Sequence, residues 1–495
     1  PGGSPAIRRC GTWAPGVRHR RRAGVNSQLL LLLGYSALMI ALGAYIGRRV
    51  RSTEGFFVAG RGLGPGLLFA TLLAANIGAG STVGAAGLGY RDGLAAWWWV
   101  GAAGIGSLVQ ALWVGPWMRR EAEKRGLQTV GDYLEQRYST TVRVLVAALL
   151  WVGTLAILSG QLIAMSTLLT VVAGVPKWVG CVLGGIVVTA YFTAGGLLSS
   201  AWVNVLQLTV KMVGFAIALP VALSFAGGWS GVVAAVNAGT PAAPGPGAGY
   251  WSLWQNGASG WQYLALLGPA FVISPGLLQK IFGARDDRTV RLGTGANALA
   301  LLLFAFVPPV MGIIARATHP GLESEQLALP TLLMYDVPAA IGALGLAALF
   351  SAEVSTADAI LFMLATSLSQ DLYRRFLRPA ATDQQVLRVA RGAAIVGGLL
   401  GVGLALVAQT IIGTLSFFYS VLGVCLFVPV LAGLFVKRFR APEALAAIAG
   451  GMLVMMALQL TVGPKGLGGF TPALAGVLTS VTVAALAFLA MRRVG

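Results

Sequence analysis

The chain has 495 residues, 57% of them hydrophobic and only 10% charged, with a mean hydropathy of +0.79, a balance that a soluble domain of this size cannot hide in one core. Its 35 basic and 16 acidic residues leave a formal charge of +19, but the basic residues fall in short clusters between apolar stretches rather than on one face, which excludes a nucleic-acid-binding surface as their explanation. The solvent for such a chain is a membrane.

The leading stretch to Gly24 carries Arg8, Arg9, Arg18, Arg20, Arg21 and Arg22 and no methionine start. Residues 1–25 are read as a disordered tail or a spurious extension, with translation beginning near Val25.

Beyond it lie about thirteen apolar stretches of roughly 20 residues, the length that crosses a ~30 Å hydrocarbon core as helix. They run 26–47, 66–90, 95–118, 143–173, 178–194, 201–226, 259–281, 290–315, 339–369, 389–409, 411–435, 443–462 and 471–491. The expected fold class is therefore all-α and polytopic.

Basic clusters follow the odd-numbered segments: Arg48, Arg49 and Arg51; Arg119 and Arg120; Lys280 to Arg291; Arg374 and Arg375; Lys437 to Arg440; Arg492 and Arg493. The positive-inside rule then places the N-terminus outside and the C-terminus in the cytoplasm of a bacterial-type inner membrane.

Cys10, Cys181 and Cys425 are scattered and have no metal or redox spacing, so packing is their expected role.

Two apolar segments are interrupted by small residues. The first break runs from Leu72 to Gly84 and includes Asn76, Gly78 and Gly80; the second runs from Gly268 to Gly276 and includes Pro269, Ser274 and Pro275. Each opens a block of five helices, 66–226 and 259–435, and the two blocks start from opposite sides. Paired interruptions in oppositely oriented repeats point to a transporter site at the midplane, where unwound backbone frees carbonyls for a cation.

The alternative is that glycine only allows close packing, the role expected of Gly397 and Gly401. The remaining chain divides into a first helix and loop (26–65), an external loop (227–258) rich in Gly, Pro and Ala, and two C-terminal helices (436–495). Residues 127–138 and 285–288 are read as cytoplasmic connectors.

Glu353 and Asp358 are the acidic residues, and Lys211 the basic one, that fall in the middle of apolar segments. An ionisable group at that depth marks a functional site by default. Around them, helical spacing puts Ala352, Ser355, Thr356 and Ala359 on one face. Oxygen-only ligands of low charge suit sodium, with further oxygens from the unwound Ala74 to Ile77; the competing reading is that Ser355 and Thr356 bond back to their own helix.

The stretch Gly55 to Arg61 (GFFVAGR), the stretch Val130 to Tyr138 (VGDYLEQRY), and Ser355-Thr356-Ala357-Asp358 with the trailing Asp371-Leu372-Tyr373 make this chain resemble the sodium:solute symporter family. That resemblance implies a leucine-transporter-type 5+5 inverted repeat with one extra N-terminal and two extra C-terminal helices. By position it implies a sodium site made of the carbonyls of Ala74, Ile77 and Ala352 and the hydroxyls of Ser355 and Thr356. The family often has aspartate where this chain has Asn204, which puts any second cation site near Asn204 and Asp358 in doubt.

Lys211 lies two turns after Asn204, on the same face. Either it neutralises Glu353 or Asp358 while sodium still binds, or its ammonium replaces sodium and coupling is to protons or absent.

The expected solute site, beside the first break, comprises Asn76, Ser81, Thr82, Gln161 and Phe271, small and mostly neutral groups suited to an amino acid, carboxylate or polyol. Gln161 serves equally as a helix-to-helix hydrogen-bonding residue, and Trp97, Trp98 and Trp99 read as an interfacial belt.

His19 and His319 lie outside the expected core and no hydrolase or metalloprotease motif occurs, so no enzyme is expected. The function expected is sodium-coupled symport of a small organic solute by alternating access. The alternatives are a proton-coupled or sodium-independent transporter, and a transporter-like sensor working with a separate partner. No cofactor is expected; the partners are the solute, sodium as coupling ion and only metal, and membrane lipid, with no nucleic acid.

Overall fold

In the computed structural model every one of the thirteen apolar stretches carries helix. Described are residues 27–47, 61–193, 197–241, 244–254, 259–463, 466–467 and 470–494. The tail to Gly24 with Cys10, the cluster Arg48, Arg49 and Arg51, and the part of the first family motif before Arg61 lie outside these residues.

Among the described residues no strand is present, only two isolated bridges. Among the described residues nine helices are each long and apolar enough to cross a membrane, and ten spans result if the helix pair bent by 63° at the first break counts as one.

The elements, in chain order, are α1 (Ser27–Gly47), α2 (Pro65–Asn76), α3 (Ala85–Asp92), α4 (Trp97–Val109), α5 (Gly115–Arg125), α6 (Val130–Arg137), α7 (Thr140–Ala173), α8 (Lys177–Thr193), α9 (Leu197–Phe225), α10 (Gly228–Ala238), α11 (Ser259–Ile273), α12 (Pro275–Phe282), α13 (Asp287–Phe304), α14 (Val307–Thr318), α15 (Ala328–Tyr335), α16 (Ala339–Thr366), α17 (Asp383–Val407), α18 (Ile411–Phe435), α19 (Ala441–Thr461) and α20 (Pro472–Val494).

Both interruptions are real, and their chemistry differs. At the first, α2 stops at Asn76 and Ile77 adopts an extended backbone (φ −95°, ψ 91°) before a π-helical turn, Gly80–Gly84, leads into α3. At the second, Ser274 alone separates α11 from α12; Pro275 cannot donate to the helix before it, yet is at home as the first residue of the helix after it. The break is thus narrower than the span from Gly268 to Gly276, and Pro269 stays inside α11.

Close approach at the first break requires glycine. A Cβ on Gly78 would run into the Thr356 side chain on α16, so the unwound segment sits directly against the hydroxyl face of that helix.

Local signals set the ends of α6 and α7. Thr129 and Asp132 form a reciprocal capping box at the start of α6, and Ser139 caps α7 by accepting from Val142 N. Residues 127–138, expected as a connector, therefore contain a helix.

The stretch 227–258 is more than a loop. Helix α10 and a short 3-10 turn, Ala248–Trp251, fold over the start of the bundle, where Tyr250 OH donates to Gly89 O at 2.8 Å and Arg316 donates to Tyr90 O and Pro244 O. Its glycines and prolines mask this order because tertiary contacts, not propensity, hold it.

The tryptophan run departs from expectation. Trp98 and Trp99 are buried; Trp98 Nε1 donates to Leu253 O, and Trp99 packs edge-on against Tyr263 and Tyr419. A belt residue must face outward, and here Trp113 and Trp117 do so, with Trp113 stacked on Phe435. Gly397 and Gly401 do seat α17 closely, against leucines of α16 and α7.

At one end of the bundle Arg143, on α7, ties together three carboxylates: Glu135 at 2.6 Å, Asp371 at 2.6 Å and Asp132 at 3.0 Å. Arg375 adds a second contact to Glu135 at 2.6 Å. Two of the family-like motifs, 130–138 and 371–373, therefore meet in one ion-pair network.

Burial alone would raise the Glu135 carboxyl, but hydrogen bonds from Arg375, Arg143 and Thr140 outweigh it and hold its pKa at about 2. A folded-state pKa below the ordinary 4.5 means the network stabilises the protein above that value and loses this contribution as pH falls toward about 2. Thermal denaturation should show melting falling through that window, with a flatter profile for Glu135→Gln.

Candidate functional site

Helix α2 ends in mid-protein, so the carbonyls of its last turn have no helical partners. The hydroxyl face of α16 lies across them. Ser355 Oγ donates to Ala74 O at 2.8 Å and is 3.1 Å from Ala352 O; Thr356 Oγ1 is 3.1 Å from Ala75 O and 3.3 Å from Ala74 O. Both hydroxyls are buried and point inward across the helix pair, and Ser355 bonds back to its own helix as well.

The five sodium candidates, Ala74, Ile77, Ala352, Ser355 and Thr356, thus form one cluster of oxygens. A positive charge already sits on it. Lys211 Nζ donates to Ser355 Oγ at 2.7 Å, Ala74 O at 2.9 Å and Ile77 O at 3.3 Å, with the residue wholly buried. An ammonium is a compact point charge with three donors, and three acceptors meet it here, so the donor set fits a hard monovalent cation.

Lys211 makes no ion pair with either carboxylate. Glu353, also wholly buried, accepts from Thr82 Oγ1 at 2.9 Å through Oε1, while its Oε2 has no hydrogen-bond partner. The expected neutralising pair with Glu353 or Asp358 is therefore not formed, because the carbonyls at the break outcompete it for the ammonium.

Asn204 and Asp358 stand apart from this cage. Asn204 Nδ2 lies 3.2 Å from Thr71 Oγ1, one turn earlier on α2, and Asp358 is buried on α16.

Lys280 joins that second cluster, and sequence reasoning missed it. Placed among the cytoplasmic basic residues, it is in fact 3% exposed and donates to Thr71 O at 3.0 Å and Thr71 Oγ1 at 2.9 Å. Its position on a half-helix directly after the second break was the available signal, but a charge five residues past a proline reads as the end of a span.

Beside the first break lies a cavity of about 80 Å³. Asn76, Ser81, Gln161 and Phe271 line it, with Trp99, Tyr419, Thr356 and Lys280. Thr82 does not: its hydroxyl turns to Gly78 O at 2.8 Å and to Glu353. A threonine one residue after Ser81 sits at the next position round the π-helical turn, which is enough to move it from the cavity to the α16 side.

The cavity's polar groups also brace the break. Gln161 Oε1 accepts from Ala79 N at 2.9 Å, Ser81 Oγ accepts from Gly78 N and donates to Asn76 O, and Asn76 Nδ2 donates to Asn297 Oδ1 at 3.1 Å. Gln161 is thus a helix-to-break hydrogen bond that also faces the cavity.

Among the described residues no cluster of three or more His, Cys, Asp or Glu could hold a metal. Cys181 and Cys425 are buried in helices α8 and α18.

Comparison with known proteins bears on the family and the fold. The pattern of the sodium:solute symporter family matches residues 56–451. The chain is 28% identical over 494 residues to the sodium/pantothenate symporter of Escherichia coli (strain K12), covering 94% of this chain and 96% of that protein. It is 25% identical over 400 residues to the sodium/glucose cotransporter of Vibrio parahaemolyticus, covering 73% and 71%.

Among solved structures, a Na+-coupled sialic acid symporter in a substrate-bound outward-open state aligns with a TM-score of 0.75 over 93% of this chain and 97% of its own, at 19% identity, and so shares the fold. The match extends through both broken helices and the hydroxyl face of α16, and on that basis this multi-pass membrane protein belongs to the sodium:solute symporter family.

Proposed function

We propose that the chain is a secondary active transporter that moves a small organic solute together with sodium by alternating access. The cage of Ala74, Ile77, Ala352, Ser355 and Thr356 is the sodium site, and the neighbouring cavity, lined by Asn76, Ser81, Gln161 and Phe271, is the solute site. The carrying observation is the Lys211 ammonium seated on three of the cage oxygens: the same atoms accept a monovalent positive charge.

Family membership and the sodium symporters among the relatives support sodium as the coupling ion. The cavity's mostly neutral lining of small polar and aromatic groups favours an amino acid, carboxylate or polyol. The protein spans a bacterial-type inner membrane, with the N-terminus outside, the C-terminus and the Arg143 network on the cytoplasmic side, and lipid around the outward-facing leucines.

A second reading is favoured by that same ammonium: Lys211 replaces sodium throughout the cycle, and coupling is to protons or absent. The readings part on uptake into vesicles with sodium replaced by choline. Sodium coupling predicts that uptake drops to the background of empty vesicles; unchanged uptake assigns the cage to Lys211 alone.

A further inference from the structure

A cage built for a coupling ion has a difficulty of its own. Between transport events its carbonyls are left facing each other in mid-bilayer, where unsatisfied backbone oxygens cost several kcal/mol each. Here that state does not arise, because Lys211 Nζ sits on Ser355 Oγ, Ala74 O and Ile77 O at 2.7, 2.9 and 3.3 Å.

We infer that Lys211 is the resident cation of the cage in the sodium-free protein and that sodium enters only by displacing it. This rests on the cage being the cation site. Both cations need the same oxygens, and two unit charges cannot share one buried set of three to five acceptors. Binding is therefore an exchange rather than an addition.

A tethered ammonium competes at an effective concentration in the millimolar range or above, without depletion. The sodium affinity of the protein is accordingly set by the lysine as much as by the ligands. The lysine also lets the sodium-free carrier rearrange with its break carbonyls satisfied.

The structure offers the displaced ammonium a landing place. Glu353 is wholly buried two residues before Ser355, and its Oε2 is without a hydrogen-bond partner. The four-carbon stem of lysine is flexible, and a buried acceptor of opposite charge suits the ammonium once it leaves the cage.

The test is sodium titration of the purified protein by thermal shift, against choline at constant ionic strength, for the wild type, Lys211→Met and Lys211→Gln. Removing the resident ammonium should lower the sodium concentration at half-maximal stabilisation at least tenfold, and lower the melting temperature without sodium. Adding Ser355→Ala to Lys211→Met should take that gain away. Gln serves where Met does not fold.

If folded Lys211 variants respond to sodium at the wild-type concentration, the ammonium is not a competitor and the inference falls while the cage remains. If sodium stabilises none of the proteins, the cage is not a sodium site, and this inference falls together with the sodium reading it rests on.

Discussion

Uptake by vesicles carrying Ser355→Ala falls at least tenfold at limiting sodium, and the half-saturating sodium concentration rises by a similar factor. Ser355 Oγ is the atom nearest the seated positive charge, at 2.7 Å, and also the donor that satisfies Ala74 O at 2.8 Å. Alanine removes one ligand from the cage and the shortest of the three donor contacts to a second, Ala74 O. A hydrogen bond to a charged group contributes about 1.5–3 kcal/mol, which corresponds to roughly ten- to hundredfold in binding.

Ser420→Ala is the control. Its hydroxyl donates to Ser416 O, four residues earlier in its own helix, and its loss should leave sodium dependence unchanged. Retained sodium affinity in Ser355→Ala would remove the hydroxyl face of α16 from the mechanism.

Arg143→Ala destabilises the protein more than it changes any affinity. The guanidinium is 4% exposed and holds Glu135, Asp371 and Asp132 at 2.6, 2.6 and 3.0 Å. Of the three, Asp371 is the most buried and keeps only the Thr129 hydroxyl, at 2.7 Å, once the arginine is gone. Breaking a buried pair from one side costs about 3–5 kcal/mol, because the surviving charge is left without its counter-ion.

The expected result is a melting temperature lower by about 5 °C or more. Asp371→Asn in the same background should recover part of the loss by removing the stranded carboxylate. An Arg143→Ala protein that melts with the wild type would mean that water already hydrates the network.

The network also bears on how the site opens. It joins α6, α7 and the π-helical segment after α16, Ser367–Leu377, and so links the far end of the cage helix to its neighbours. Alternating access requires helices to shift about a fixed site, and this junction is one place where charged groups would have to part.

Much of this protein was determined by its sequence alone. Long apolar stretches leave helix as the available way to satisfy the backbone in lipid, and the two interruptions at Asn76–Gly80 and Ser274–Pro275 are legible because glycine and proline act locally. The face shared by Ala352, Ser355 and Thr356 follows from helical spacing alone.

The tertiary structure decided where the charges go. Lys211 chose the break carbonyls over Glu353, Lys280 turned inward to Thr71, Thr82 turned away from the cavity, and Trp99 packed beside it rather than at a boundary. For the two lysines and Thr82 the outcome depends on which polar partner lies within hydrogen-bonding reach once the helices are packed, and for Trp99 on which rings of other helices surround it. Side-chain periodicity carries no record of that choice, because the competing acceptors come from other segments of the chain.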